Sequence, residues 1–396
     1  MRHFVFIAIV FTPFFSGSVV AQTEFSGYLQ NVPVWVDSTP RTSSDIRNFN
    51  RLRVTSDAVF GQFSIGTAYE QMATLRLQQF SAGFGVGKTS EAGEWLKLQW
   101  TAMERKHLLW QHRFDRLQVG WSPSGIFNVT AGRQAVSWGT TLFLTPADPF
   151  VPFHPADPFR EFRGGVDAAR VRIYPGPLSE IDIVARPTKT LAGEEELTLL
   201  ARGLTTWKNL ELSGWGGTLY GDRAVAVGVT GALGTLAVRS EAVVRSRQDG
   251  VVFRGTVGFD HFRQLKGRDF QVSIEYQRDG LGVTDPLDYQ NVLVSDTFRR
   301  GEHQVLGRDE TVVTTSYQLN PLWSLSGLWL WNLNDRSALV SPNISYAAGD
   351  EVTISGGVFL GIGDGQDLKS HAFLSEYGST AATAFLSLQW FFQSAP

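Results

Sequence analysis

Apolar and polar side chains alternate along most of this chain once its first residues are passed. In residues 270–277, Phe270, Val272, Ile274 and Tyr276 alternate with Gln, Ser and Glu side chains. A period of two places one set of side chains on each face of a β-strand. Many such segments follow one another, separated by turns rich in Gly, Asn, Asp and Pro. The pattern therefore predicts an all-β protein made of many antiparallel strands.

Nineteen segments carry the strand pattern, and no helical period persists beyond the first residues. The predicted strands cover residues 25–36, 47–59, 62–72, 95–103, 108–121, 126–138, 166–174, 180–186, 195–205, 209–220, 223–231, 235–246, 251–262, 270–277, 311–319, 322–333, 338–347, 351–360 and 382–392. Single-chain bacterial outer-membrane barrels have an even number of strands, so we expect some of these boundaries to be wrong. We predict a single transmembrane, antiparallel, up-and-down β-barrel of about 18 strands, with about 16 strands as the alternative.

The first 21 residues have the features of a secretory signal peptide. Arg2 and His3 precede an apolar stretch, which ends in a tail of small residues. Beyond this segment no apolar run reaches the length of about 18 residues that a transmembrane helix needs. A chain that crosses a membrane without helices must form a closed barrel, because an open sheet would leave backbone groups unpaired in lipid. We therefore expect a signal peptide at 1–21 and a β-barrel domain at 22–396, in the outer membrane of a Gram-negative bacterium.

The composition argues against several other classes of protein. The chain has a formal net charge of −3, which disfavours a nucleic-acid-binding surface. It contains no cysteine and no H-E-x-x-H or G-x-S-x-G motif, so no common type of nucleophilic or zinc-dependent catalysis is indicated. We expect no enzymatic activity, no cofactor and no nucleic-acid partner.

Charged residues share the polar face of several predicted strands. In residues 251–262, Arg254 and Asp260 alternate with Val251 and Phe253. A register shift of one residue would expose such arginines to lipid, at about 2–4 kcal/mol each near the bilayer midplane. The interior must therefore be polar, as either a water-filled channel or a plugged lumen. The candidate pore-lining residues are Arg51, Arg53, Arg133, Arg170, Arg172, Arg239, Arg254, Glu70, Asp167, Asp182, Glu241, Asp260 and Glu275. The bulky apolar residues that fall on the same face, and that favour partial plugging, are Phe49, Phe114, Leu200 and Phe262.

The connection at residues 139–165 repeats the motif Pro-Ala-Asp-Pro-Phe, at 146–150 and again at 155–159. Prolines restrict the backbone and phenylalanines need a buried site, which disfavours a freely exposed loop. We predict that this loop folds into the barrel and narrows it; a cap packed on the rim is the alternative. The candidate constriction residues are Asp148, Asp157, Arg160, Glu161 and Arg163. Asp148, His154 and Asp157 together offer oxygen and imidazole ligands, but so small a set arises easily by chance and we predict no metal site.

Residues 132–139, Gly-Arg-Gln-Ala-Val-Ser-Trp-Gly, resemble a stretch found in porin-like outer-membrane families, including alginate-export-type barrels. The loop that follows and residues 165–170 extend the resemblance, which implies a channel of about 18 strands lined with arginines and acids. It implies no particular substrate. The last predicted strand, 382–392, resembles the C-terminal strand that the barrel-assembly machinery reads in outer-membrane proteins.

The expected function is the passive diffusion of small polar solutes, anionic or sugar-like ones included, through an outer-membrane channel. The expected partners are membrane lipid, the barrel-assembly machinery during biogenesis and the solutes themselves; assembly into a homo-oligomer stays open. Two alternatives remain from the sequence. One is a non-conducting structural or adhesive barrel, and the other is a channel for polysaccharide export.

Overall fold

The computed structural model describes residues 22–39, 43–77, 94–150, 162–189, 195–367, 369–370 and 372–394. The signal peptide predicted at residues 1–21 lies outside these ranges. The strands are β1 Gln22–Val36, β2 Asp45–Phe60, β3 Phe63–Arg76, β4 Gln99–Arg105, β5 Leu108–Ser124, β6 Phe127–Gln134, β7 Val166–Gly176, β8 Ser179–Lys189, β9 Glu195–Trp207, β10 Leu210–Leu219, β11 Asp222–Leu233, β12 Leu236–Arg247, β13 Gly250–Leu265, β14 Arg268–Asp279, β15 Asp309–Gln318, β16 Trp323–Asn332, β17 Ala338–Ala347, β18 Val352–Ile362 and β19 Thr383–Gln393. The helices are α1 Tyr289–Val294 and α2 Asp296–Arg299, preceded by a 3₁₀ turn at Pro286–Asp288.

The strands form one closed antiparallel barrel. Neighbours in the chain are neighbours in the ring, as in an up-and-down barrel. β1 also pairs with β19, with Gly27 opposite Phe392 and Val34 opposite Phe385, and this pairing closes the ring. Closure leaves the ring without a free edge, so that its backbone groups are paired within the sheet.

One strand, β4, lies outside the ring. β3 pairs directly with β5 over nearly its whole length, from Phe63 to Leu75. β4 pairs only with residues 108–113 of β5. β6 pairs with the same edge of β5, but over residues 117–124. The ring therefore has 18 strands, and the prediction of 18 is confirmed. Each of the nineteen predicted segments overlaps an observed strand. The odd count comes from a strand that does not join the ring, and not from wrong strand boundaries as we expected.

The two rims of the barrel differ in the length of their connections. One rim, called the short-turn rim below, holds both ends of the described chain. It also holds the turns between β2 and β3, β5 and β6, β7 and β8, β9 and β10, β11 and β12, β13 and β14, β15 and β16, and β17 and β18. Lys266 and Gly267 have φ values of 52° and 72° there, the left-handed backbone that two-residue hairpin turns favour. The opposite, long-loop rim carries the connections at 77–107, 135–165, 280–308 and 363–382. In bacterial outer-membrane barrels the short turns face the periplasm.

The outer face of the barrel is apolar and the inner face is mostly polar. On β13, Val251 and Phe253 are 73% and 50% exposed, whereas Arg254 and Thr256 are buried inside. This is the register that the sequence predicts, with the arginine on the inner face. Within the described residues no helix is long and apolar enough to cross a membrane.

The sequence pattern does not predict α1 and α2, which lie in the connection 280–308 on the long-loop rim. They span six and four residues. A helix of one or two turns is too short to show a helical period in the sequence. The side chain of Ser295 accepts a hydrogen bond from the Phe298 N–H and caps the start of α2.

Candidate functional site

The segment that follows β6 lies inside the barrel. Trp138 donates a hydrogen bond from Nε1 to Asp182 Oδ2 on β8, at 2.8 Å. Its ring packs edge-on against Phe150, with the two centroids 4.9 Å apart. Both rings are buried in one apolar cluster with inward-facing side chains of β8 to β12. We call residues 135–150 the inner loop.

Two carboxylates of the barrel wall hold the backbone of the inner loop. Glu241 on β12 and Glu275 on β14 each accept three backbone N–H groups, over distances of 2.6–3.2 Å. The donors are Thr140, Thr141 and Ala147 for Glu241, and Leu142, Phe143 and Leu144 for Glu275. A loop removed from bulk water needs such acceptors for its backbone donors. Successive N–H groups that point into one concavity form a good site for an anionic oxygen.

The sequence predicts Glu241 and Glu275 as acids that line the pore. Strand alternation does place both side chains on the inner face, but the inner loop covers them, and they are only 3% and 1% exposed. No local pattern signals this role, because Glu241 is 101 positions away from Thr140 in the chain.

The inner loop crosses the lumen to the opposite wall. Leu144 is fully buried among inward-facing apolar residues of β15 to β18, including Val312 and Leu339. Gln304, from the connection 280–308, accepts the Thr145 N–H and donates to the Phe143 carbonyl, both at 2.6 Å. The loop is thereby fixed at both sides of the barrel.

The chain returns to β7 along a third part of the wall. Phe162 stacks on the ring of Tyr28 and covers the guanidinium of Arg53, whose Cζ lies 4.6 Å from the ring centroid. Arg163 forms an ion pair with Asp148 of the inner loop. Two of the predicted constriction residues thus bind each other. The other three, Asp157, Arg160 and Glu161, lie outside the described residues, as does His154.

An ionic cluster forms the wall beside this returning segment. Arg53 pairs with Glu70 and with Asp115, the latter at 2.8 Å. Arg113 binds Glu70 and Arg116 binds Asp115, at 2.6 and 2.7 Å. All five side chains are mostly buried. Arg53 and Glu70 are predicted from the sequence, whereas the three residues of β5 are not.

A β-bulge explains why sequence alternation misses the three charged residues of β5. The register between β3 and β5 shifts after Ala68, so that β5 has one extra residue at this point. Asp115 and Arg116, although adjacent in the chain, both take part in the inner ionic cluster. The shift also turns Phe114 outwards, where its ring centroid lies 5.6 Å from that of Tyr69. The prediction that Phe114 faces the lumen is therefore wrong.

The structure places Arg133 and Asp167 differently from the predicted pore lining. Arg133 lies opposite Asp167 in the β6–β7 ladder, at positions that alternate with the inward pair Gly132 and Ala168. Both charged side chains are therefore on the outer side of the wall. They bind each other through two hydrogen bonds of 2.8 and 2.9 Å. The segment at residues 94–98 covers them, since Asp167 accepts two of its backbone N–H groups and Arg133 donates to one of its carbonyls. Burial of Glu94 in this cover raises the pKa of its carboxyl.

The other predicted arginines face inwards and have polar partners. Arg170 binds Asp182 through three hydrogen bonds of 2.6–3.1 Å. Arg254 binds Asp279 through two of 2.8 Å. Arg172 donates a hydrogen bond to Asn128 at 2.9 Å, and Arg239 forms an ion pair with Asp260. Arg51 lies on the same inner face of β2 as Arg53. Because most of these charges are compensated by a neighbour, the wall carries little net charge in any one place.

Two of the cavities in the lumen lie beside the inner loop and the returning segment. One has a volume of about 280 Å³ and is lined by Arg53, Phe162 and residues of β1, β2 and β19. The other has a volume of about 340 Å³ and is lined by Phe143 and residues of β14 to β18. Among the residues that the structure describes, no three His, Asp or Glu side chains are placed to hold a metal ion together.

Comparison with known proteins gives matches of fold only. No protein-family model matches the chain, and no curated protein matches it. The chain is similar to the structure of a BenF-like porin from Pseudomonas fluorescens Pf-5, with a TM-score of 0.56 at 11% identity, over 95% of this chain and 99% of that one. It is also similar to the outer-membrane protein OpdK of Pseudomonas aeruginosa, with a TM-score of 0.54 at 10% identity, over 94% and 99%. OccAB1 of Acinetobacter baumannii gives a TM-score of 0.56 at 10% identity, over 94% and 97%.

These matches extend over almost the full length of both chains, so they concern the whole barrel and not one hairpin. The resemblance to porin-like barrels predicted from residues 132–170 is thus confirmed at the level of the fold.

Proposed function

We propose that this protein is an outer-membrane channel through which small polar solutes diffuse passively. The observation that carries the proposal is the inner loop, held across the lumen by Glu241 and Glu275 and leaving cavities of about 280 and 340 Å³ beside it. A loop that only capped the barrel would not need two buried wall carboxylates for its backbone. A loop that limits the width of a passage does need a fixed position.

The two faces of the wall support the same proposal. The exposed apolar outer face suits lipid, and the polar inner face suits water. Export by the signal peptide at 1–21, insertion by the barrel-assembly machinery and residence in a Gram-negative outer membrane are parts of the proposal. Its supports include the solved porins that share the fold.

Charge selection in this channel rests on the ionic cluster near Arg53. Arg53, Arg113 and Arg116 face the two carboxylates of Glu70 and Asp115, which leaves an excess of one positive charge. We therefore propose a mild preference for anions over cations and no exclusion of neutral solutes. OpdK, one of the structures with the same fold, was solved with vanillate, a small organic anion.

Swelling of proteoliposomes in iso-osmotic solutes of increasing size tests the proposal. We expect fast swelling with pentoses and hexoses and slow swelling with trisaccharides, because the inner loop limits the passage. A folded, heat-modifiable barrel that gives no swelling with any of these solutes would overturn the proposal in favour of a structural or adhesive barrel.

A further inference from the structure

One part of the described inner wall carries almost no charged side chains. In the described strands β15 to β19, the inward positions between Glu310 and the short-turn rim carry only Ser, Thr, Asn, Gln, Gly, Ala and apolar side chains. The adjoining part of the wall, from β2 to β5, carries the ionic cluster around Arg53, and only β1 separates it from β19. We call the first part the neutral wall.

Hydroxyl and amide groups are arranged in rows on the neutral wall. Ser273, Thr314 and Ser341 belong to one row that runs across β14 to β17, with Leu328 between the last two. Ser316, Ser326 and Asn343 form the next row towards the short-turn rim. Neighbouring strands lie about 4.8 Å apart, so these groups repeat at that spacing. Asn343 donates from Nδ2 to the carbonyl and the hydroxyl of Ser341, at 3.0 and 3.3 Å, and so helps to position that hydroxyl.

An aromatic side chain from the inner loop completes the cavity. Phe143 lines the same space of about 340 Å³ as these rows, together with Phe359 of β18. Its backbone is fixed on both sides, since its N–H donates to Glu275 at 3.0 Å and its carbonyl accepts from Gln304 at 2.6 Å. The ring therefore has a set position over the neutral wall before any solute enters, which lowers the entropic cost of binding.

We propose that this cavity is a binding subsite for an uncharged, polyhydroxylated ring, the size of a monosaccharide. The C–H face of such a ring packs on an aromatic side chain, and its hydroxyl groups exchange hydrogen bonds with Ser and Thr, which both donate and accept. A charged solute would lose hydration there and meet no free opposite charge, because Asp260, beside Ser273, is paired with Arg239, and Glu275 is bound to the inner loop. The volume lies within the range of small-molecule sites. The inference rests on the proposed channel function: it names one class of solute and the cavity in which that solute binds.

Binding of a sugar to this cavity can be measured without recording ion currents through the barrel. Saturation-transfer difference NMR on the folded, detergent-solubilised barrel, with D-glucose as the probe and D-glucuronate as its charged counterpart, reports weak contacts directly. We expect transfer to the glucose ring protons, a weaker signal from glucuronate, and about a tenfold rise in the glucose dissociation constant for Phe143→Ala.

Because Phe143→Ala also loosens the inner loop, Ser326→Val and Asn343→Leu provide variants that leave the loop intact. Each should weaken glucose binding severalfold, while Thr55→Ala, which removes a hydroxyl that lines the other cavity of about 280 Å³, should not. The subsite is overturned if the wild-type barrel transfers no magnetisation to glucose, or if Ser326→Val and Asn343→Leu bind it as the wild type does. The channel proposal fails separately: in that case the barrel still binds glucose, but proteoliposomes that contain it do not swell.

Discussion

Glu241 and Glu275 have a role that their chemistry permits but their sequence positions do not reveal. Both are acids on the inner face of a strand, as are Asp182 and Asp260. What distinguishes the two glutamates is that six backbone N–H groups of the inner loop point at them. Hydrogen bonds to charged acceptors are worth about 1.5–3 kcal/mol each when the alternative is an unpaired buried donor. The position of the inner loop therefore depends on these two side chains.

Replacing Glu275 by Gln tests this dependence with almost no change in volume. The amide keeps one oxygen acceptor but turns an NH2 group towards backbone donors, so the segment at 142–144 loses at least one partner. We expect a loss of about 2 kcal/mol in loop stability, larger current fluctuations and a higher mean single-channel conductance in Glu275→Gln. Glu211→Gln, an inward glutamate of β10 for which no contact with the loop is seen among the described residues, serves as the control. Equal currents in both variants would contradict the anchoring role.

Residue-scale prediction from the sequence succeeds where alternation is regular and fails where it is broken. Arg254 and Asp260 on β13 are on the predicted face because that strand has no irregularity. Asp115 and Arg116 are missed because a β-bulge adds one residue to β5. Arg133 is assigned to the lumen from its charge alone, while its ion pair with Asp167 is buried on the outer side by a segment that precedes β4. Charge indicates that a side chain needs a partner, but not which face supplies it.

At the scale of elements, β4 shows how a strand can be predicted correctly and still not belong to the ring. The predicted segment 95–103 overlaps it, and it pairs with β5 as an antiparallel strand, with a register shift between Thr101 and Met103. Whether it joins the barrel depends on whether β3 and β5 already pair, which is a matter of topology that no local pattern encodes.

Removal of β4 should therefore leave the barrel closed. In a variant with residues 99–105 replaced by a Gly-Ser segment of the same length, residues 94–98 still cover Arg133 and Asp167, and β3 still pairs with β5, since Leu75 lies opposite Leu108. We expect a barrel that still shifts its gel mobility on heating, the usual sign of a folded outer-membrane barrel. As a control, deletion of the β17–β18 hairpin should abolish the folded band. Loss of the folded band on β4 removal would mean that β4 is needed for closure.

The connection with α1 and α2 contains a pH-sensitive side chain. His303 is buried beside Asp279, Arg254 and Glu302, and its burial lowers the pKa of its imidazole below the ordinary value of about 6.5. A histidine with a lowered pKa binds fewer protons in the folded state than in the unfolded one. Its contribution to stability is therefore present above about pH 6.5 and is lost as the pH falls from there towards its folded pKa.

We expect the amide protection factors of residues 295–304 to fall between pH 7.5 and pH 5.5. The Thr297 hydroxyl is bonded to His303 Nε2 at 2.9 Å, a contact that the side chain of Gln can also make. His303→Gln should therefore keep the fold of this connection and remove most of the pH dependence. Hydrogen–deuterium exchange with mass spectrometry measures both proteins. The same pH dependence in the variant would assign the effect to another group.

At the scale of the whole molecule, three different surfaces are placed around one lumen. Lipid-facing apolar side chains cover the outside, compensated ion pairs line much of the inner face from β2 to β14, and the neutral wall lines it from β15 to β19. The sequence predicts the first and part of the second from strand alternation. It could not predict where around the ring the neutral wall lies, because the position of a strand around the ring follows from the number of strands and from closure between β1 and β19.

The central claim is that the lumen conducts and that the inner loop sets its width. The most direct test is the single-channel current of the refolded barrel in a planar bilayer, compared with a variant in which residues 140–147 are replaced by four glycines. We expect stable unit steps with a mild anion preference in a salt gradient for the native chain, and at least a twofold larger conductance for the variant. Absence of steps from a folded native barrel would contradict conduction. Equal conductance in the two proteins would contradict the role of the inner loop.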